Sequence, residues 1–81
     1  MSKRSSSNSN RKLPIVSGRA VIKALHKIGF EPARQKGDHA FLKHPDGRRT
    51  TVPLHAEVNK TTLMDIIEQA GLTKDEFLDL I

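Results

Sequence analysis

The sequence predicts an α+β sandwich in which helices cover one face of a three-stranded antiparallel sheet, in the order α-β-β-β-α. Three observations predict it. Apolar residues recur at helical spacing near both ends of the chain, at Val21, Ile22, Leu25 and Ile28 and again at Leu63, Ile66, Ile67 and Ala70. The stretch between them breaks into three short segments. The breaks are turn signals, Lys36-Gly37-Asp38 and Pro45-Asp46-Gly47.

The elements follow in order. Ser17 can cap a first helix running to Ile28, with Gly29 in the left-handed stop position. Arg19, Lys23 and Lys27 form a basic ridge on its far side. Phe30–Gln35 suits a first strand, and Pro32 assigns it to the sheet edge because proline has no N–H for a ladder. His39–His44 and Arg48–Pro53 read as the second and third strands. A link leads to a second helix over Lys60–Ala70, stopped by Gly71. Thr73 and Glu76 fit a capping box for a last short helix bearing Phe77, Leu80 and Ile81. This order is the topology of the double-stranded RNA-binding domain.

Composition excludes several classes. The chain has 81 residues and no cysteine, so neither a disulfide framework nor a thiolate metal site is available. No apolar run approaches the roughly 20 residues that span a bilayer. No dinucleotide or P-loop motif occurs, so no small-molecule cofactor is expected. His39 and His44 lie five apart on a strand and should face opposite ways, and no HExxH spacing exists; no metal site is expected. A cytoplasmic protein is expected.

Charge is graded along the chain. The net charge is +5. Residues 1–19 hold five bases and no acid, residues 20–59 carry +3, and residues 60–81 carry −3. The first twelve residues are Ser, Asn, Lys and Arg with one apolar side chain, and they are expected to be disordered. They form either a basic arm for nucleic acid or a solubilising tail, followed by one domain over 13–81. The middle segment is the expected working region, and the acidic C-terminal end is expected to face away from phosphate.

Four histidines are the candidate reactive groups. An imidazole near neutral pH can both take and give a proton. That is what RNA cleavage through the 2′-hydroxyl requires. His39 opens a strand after a glycine turn, and Gly37 allows close backbone approach. Lys36, Lys43, Arg48 and Arg49 supply positive charge on the same hairpin. His55, in the loop after the third strand, is a second catalytic or phosphate-binding candidate. His26 is expected to pack at a helix boundary, and His44 to be a solvated turn residue.

An ordered set of segments then resembles a known family. The set is Ser17-Gly18-Arg19, Gly29-Phe30, Gln35-Lys36-Gly37-Asp38-His39, His44-Pro45-Asp46-Gly47-Arg48-Arg49, Val52-Pro53-Leu54-His55, and Thr62-Leu63 leading to Gly71-Leu72. It resembles the HicA (YcfA-like) toxins over roughly residues 14–78. The resemblance implies a bacterial, metal-independent endoribonuclease that cleaves mRNA, held in check by a HicB-like antitoxin. The family's catalytic histidine lies in a Gly-Ser-His motif, which maps onto His39, with Asp38 in place of the usual serine. An acidic neighbour can orient the ring, and it also opposes phosphate. The Val-Pro-x-His element maps onto Val52, Pro53 and His55. Two alternatives stay open: a non-catalytic RNA-binding module, and an inactive toxin kept as an antitoxin-binding decoy.

Overall fold

A computed structural model describes residues 12–81. The expected disordered arm lies outside the described residues, apart from Lys12. The elements are α1 (Gly18–His26), β1 (Glu31–Lys36), β2 (His39–Lys43), β3 (Arg49–Pro53), α2 (Lys60–Gln69) and α3 (Lys74–Leu78). The expected order is present, with ends shifted by one or two residues. α1 stops at His26 because the amides of Lys27 and Ile28 turn back to the carbonyls of Ala24 and Leu25 and tighten the last turn. Gly29 follows at φ +104°, and a side chain there would meet the His44 imidazole at 2.7 Å. Ser17 and Asn59 cap α1 and α2, and the Thr73–Glu76 capping box is complete.

The sheet is an antiparallel meander, β1-β2-β3, with β1 an edge whose register shifts between Pro32 and Arg34. Directly opposed residues share a face. Ala40, Leu42, Thr50 and Val52 point toward the helices and are buried. Leu42 and Val52 join Val21, Leu25, Phe30, Leu63, Ile66, Ile67 and Phe77 in one core. Full burial of each large side chain stabilises the fold by roughly 1.5–3 kcal/mol. The outward face carries Glu31, Arg34 and Lys36 from β1, His39, Phe41 and Lys43 from β2, and Arg49, Thr51 and Pro53 from β3. No helix among the described residues is long and apolar enough to cross a membrane.

Candidate active site

The hairpin turn between β1 and β2 and the loop after β3 meet at one end of the sheet. The Leu54 amide donates to the Asp38 carbonyl at 2.6 Å, which brings the loop against the turn. The other side of the loop is held by α1. Gly18 N–H donates to the His55 carbonyl at 2.9 Å, and Val58 pairs with Val16. This approach admits no side chain at residue 18, where a Cβ would stand 2.0 Å from the Pro53 carbonyl oxygen.

Asp38 is the centre of the resulting cluster. One carboxylate oxygen lies 2.9 Å from His39 Nδ1 and the other 3.0 Å from His55 Nε2. The two rings stand edge to face with centroids 6.5 Å apart. The His55 contact is a hydrogen bond, and because a carboxylate only accepts, His55 Nε2 carries the hydrogen, while the His39 contact is one of charge. In the neutral ring this leaves a lone pair on His55 Nδ1, and His39 Nε2 is the ring nitrogen not in contact with Asp38. Among the described residues, no group hydrogen-bonds either of those atoms. All three side chains are about half exposed. The Asp38 carboxyl is held below its ordinary value of 3.8, first by the hydrogen bond from His55; desolvation opposes this, and the His39 charge adds a smaller lowering. It therefore stays ionised near neutral pH.

His39 and His55 open onto a cavity of about 370 Å³ whose wall includes Thr51, Asn59, Thr62 and Gln69. Glu57 and Asp65 also line it. Asp65 corrects the expectation that the acidic C-terminal end faces away from the site. α2 packs on β3 and brings Thr62, Asp65, Ile66 and Gln69, along its whole length, to the wall. The sequence reading missed Thr51, Thr62, Asp65 and Gln69 as wall residues. Their helical or strand spacing marked elements but gave no sign of which end meets the histidines.

The basic residues divide. Lys36 stands directly opposite His39 in the register, and Gly37 makes the turn at φ +60° with open space beside it. Lys43 and Arg49 oppose each other at the far end of the hairpin, about 14 Å along the strand from His39. Arg48 is not brought to the site. Its Nε donates to Asp46 at 2.8 Å, its Nη1 donates to the Ala70 carbonyl, and its guanidinium lies 5.4 Å over the Phe30 ring.

The remaining histidines have separate places. His44 is not a solvated turn residue. Its Nε2 lies 2.8 Å from the Ile28 carbonyl and its ring packs edge-on against Phe30. His26 is exposed rather than packed at a boundary, and pairs with Glu31 at 3.5 Å. Among the described residues, no group of three His, Cys, Asp or Glu side chains is arranged to hold a metal ion.

No curated protein matches the chain. The family model described as the HicA toxin of bacterial toxin-antitoxin systems matches residues 18–72, from the first residue of α1 to just past α2, and so spans Asp38, His39 and His55. On that match, the chain belongs to the HicA family, the toxins of bacterial toxin–antitoxin systems.

Proposed function

We propose that this toxin is a metal-independent endoribonuclease that cleaves mRNA in the bacterial cytoplasm and so arrests translation and growth. The observation that carries the reading is the contact of Asp38 with both His39 and His55, which holds the two rings together beside an open cavity. The neutral His39 Nε2 takes the proton of a ribose 2′-hydroxyl. The 2′-oxygen attacks the adjacent phosphorus and forms a 2′,3′-cyclic phosphate. The bond from phosphorus to the 5′-oxygen breaks, and a protonated His55 gives that oxygen its proton. Asp38 orients the rings and stabilises the charge His39 acquires, as the carboxylate of a hydrolase triad does. Lys36 stands nearest to the developing phosphorane charge, and Lys43 and Arg49 hold flanking phosphates.

Family membership supplies a cognate antitoxin. We take it to be a HicB-like protein that covers the His39 cavity, drawn by the basic outward face.

The test is purified protein, freed of antitoxin and incubated with RNA in EDTA. Cleavage to products with cyclic phosphate ends is expected, and intact RNA would sink the proposal. A second reading, a non-catalytic RNA-binding module, draws on the carboxylates of Asp38, Glu57 and Asp65 around the histidines, which oppose an incoming phosphate. A binder would retard RNA in a gel without shortening it, and would do so equally with His39 replaced by Ala.

A further inference from the structure

The outward face of the sheet carries four cations, Arg34, Lys36, Lys43 and Arg49, against one acid, Glu31, at the start of β1 opposite Lys43. In their midst is one partly exposed aromatic ring, Phe41. Among the described residues the helices pack on the opposite face, and Phe41 takes no part in the core. Arg34 lies over it at 5.5 Å. A groove of about 700 Å³ runs over Phe41 between Arg34, Lys43 and Arg49. Thr51 and Gln69 line this groove and also the His39 cavity, so the two adjoin. Phe41 follows His39 by two residues on the same face of β2, about 7 Å away.

We propose that this outward face is a track for single-stranded RNA, on which the base beside the cleaved phosphate stacks on Phe41 and the flanking phosphates meet Arg34, Lys43 and Arg49. The inference rests on the reading of RNA as substrate and adds which strand state and which surface are used. An aromatic ring within a basic groove is the usual platform for unpaired bases. A duplex cannot use it, because its bases are stacked away from a flat sheet. Arg34 moves from the ring to a phosphate when the base arrives. The track therefore selects unpaired RNA, although the topology is that of a domain for duplexes.

The test measures binding with RNA that cannot be cleaved, so that it reads independently of catalysis. The probes are a 2′-O-methyl 12-mer and its duplex, titrated against the whole chain. Phe41→Leu keeps an apolar side chain but removes the ring. It should weaken single-strand binding about 5- to 150-fold and leave duplex binding unchanged. The chain has no Trp or Tyr, so Phe41→Trp adds its sole indole. That variant should bind at least as tightly as the wild type, with its fluorescence quenched by the single strand and not by the duplex. Circular dichroism confirms that each variant is folded. Equal single-strand affinity for Phe41→Leu and wild type, or an indole unquenched by bound RNA, overturns the proposal. So does a Phe41→Leu variant that binds RNA normally and no longer binds its antitoxin, which would make the face a protein-docking surface. Stacking without cleavage of ordinary RNA would leave the track standing and sink the nuclease reading.

Discussion

The two ends of the β2–β3 hairpin carry almost the same chemistry and use it differently. At one end Asp38, beside Gly37, holds His39 and His55. At the other the Asp46 carboxylate, beside Gly47, holds Arg48 and lies 2.9 Å from His44 Nδ1, which the Asp46 amide holds. Both carboxyls are pushed below their ordinary range, Asp38 chiefly by the His55 hydrogen bond and Asp46 chiefly by the Arg48 backbone amide. The difference lies in what the rest of each partner touches. The His44 side chain is only 17% exposed, and both ring nitrogens are engaged, one by the Ile28 carbonyl and one by the Asp46 amide. Arg48 reaches on to the end of α2. His39 is 49% exposed, with one ring nitrogen engaged. A histidine–carboxylate pair is thus a strut when the second ring nitrogen is spoken for. It is available for proton transfer when that nitrogen faces open space.

The comparison can be broken by exchanging stability and activity readouts. The largest effect is expected for His39→Ala: RNA cleavage should fall by roughly 10²–10⁴-fold with an unchanged melting temperature. A variant that still cuts RNA and arrests growth would overturn the assignment of His39. Asp38→Asn comes next. It keeps the size of the side chain but loses one acceptor oxygen, so kcat should fall by less than for His39→Ala while affinity for uncleavable RNA holds or improves.

The pH dependence of Asp38 sharpens the same point. Its pKa is lower when folded than when unfolded, so its stabilising contribution is complete above the ordinary 3.8. The contribution is lost as pH falls through the lowered value. Acid titration should therefore show the wild type and Asp38→Asn differing above pH 3.8 and converging below it.

The strut end should respond in the opposite way. His44→Ala leaves the Ile28 carbonyl unpaired and Phe30 less covered. It is expected to cost about 1–3 kcal/mol, at roughly 4–8 °C in Tm per kcal/mol, with cleavage retained. Arg48→Ala should be smaller, about 0.5–1.5 kcal/mol, and should leave RNA affinity nearly intact. A large loss of RNA binding by Arg48→Ala would return that residue to the substrate face.

Much of this was legible in the sequence, for local reasons. Ser17, Asn59 and Thr73 cap helices through side chains three residues from the amides they receive, and Asp46-Gly47 turns a hairpin by its own torsions. The contacts that separate the two ends are of longer range. Nothing near Arg48 indicates that its guanidinium meets Ala70, 22 residues on. His44 is likewise fixed by Ile28, 16 residues earlier, across a turn. Adjacent arginines therefore read as a basic pair, although one is a structural tie and the other lies on the open face. His39 was legible because its turn is local. The hold of Asp38 on His55, 17 residues away, was not.

The clamp of Gly18 on the His55 loop has a consequence for the order in which a ribosome delivers the site. His39 and Asp38 are neighbours and can pair as soon as their turn emerges. The loop that carries His55 gains its last anchor only when residue 58 is also outside and can pair with Val16, near the start of the domain. A chain interrupted between residues 55 and 58 holds both histidines and lacks the pairing that closes the second one's loop. A cell making this toxin would therefore release a complete cluster only late in each round of synthesis.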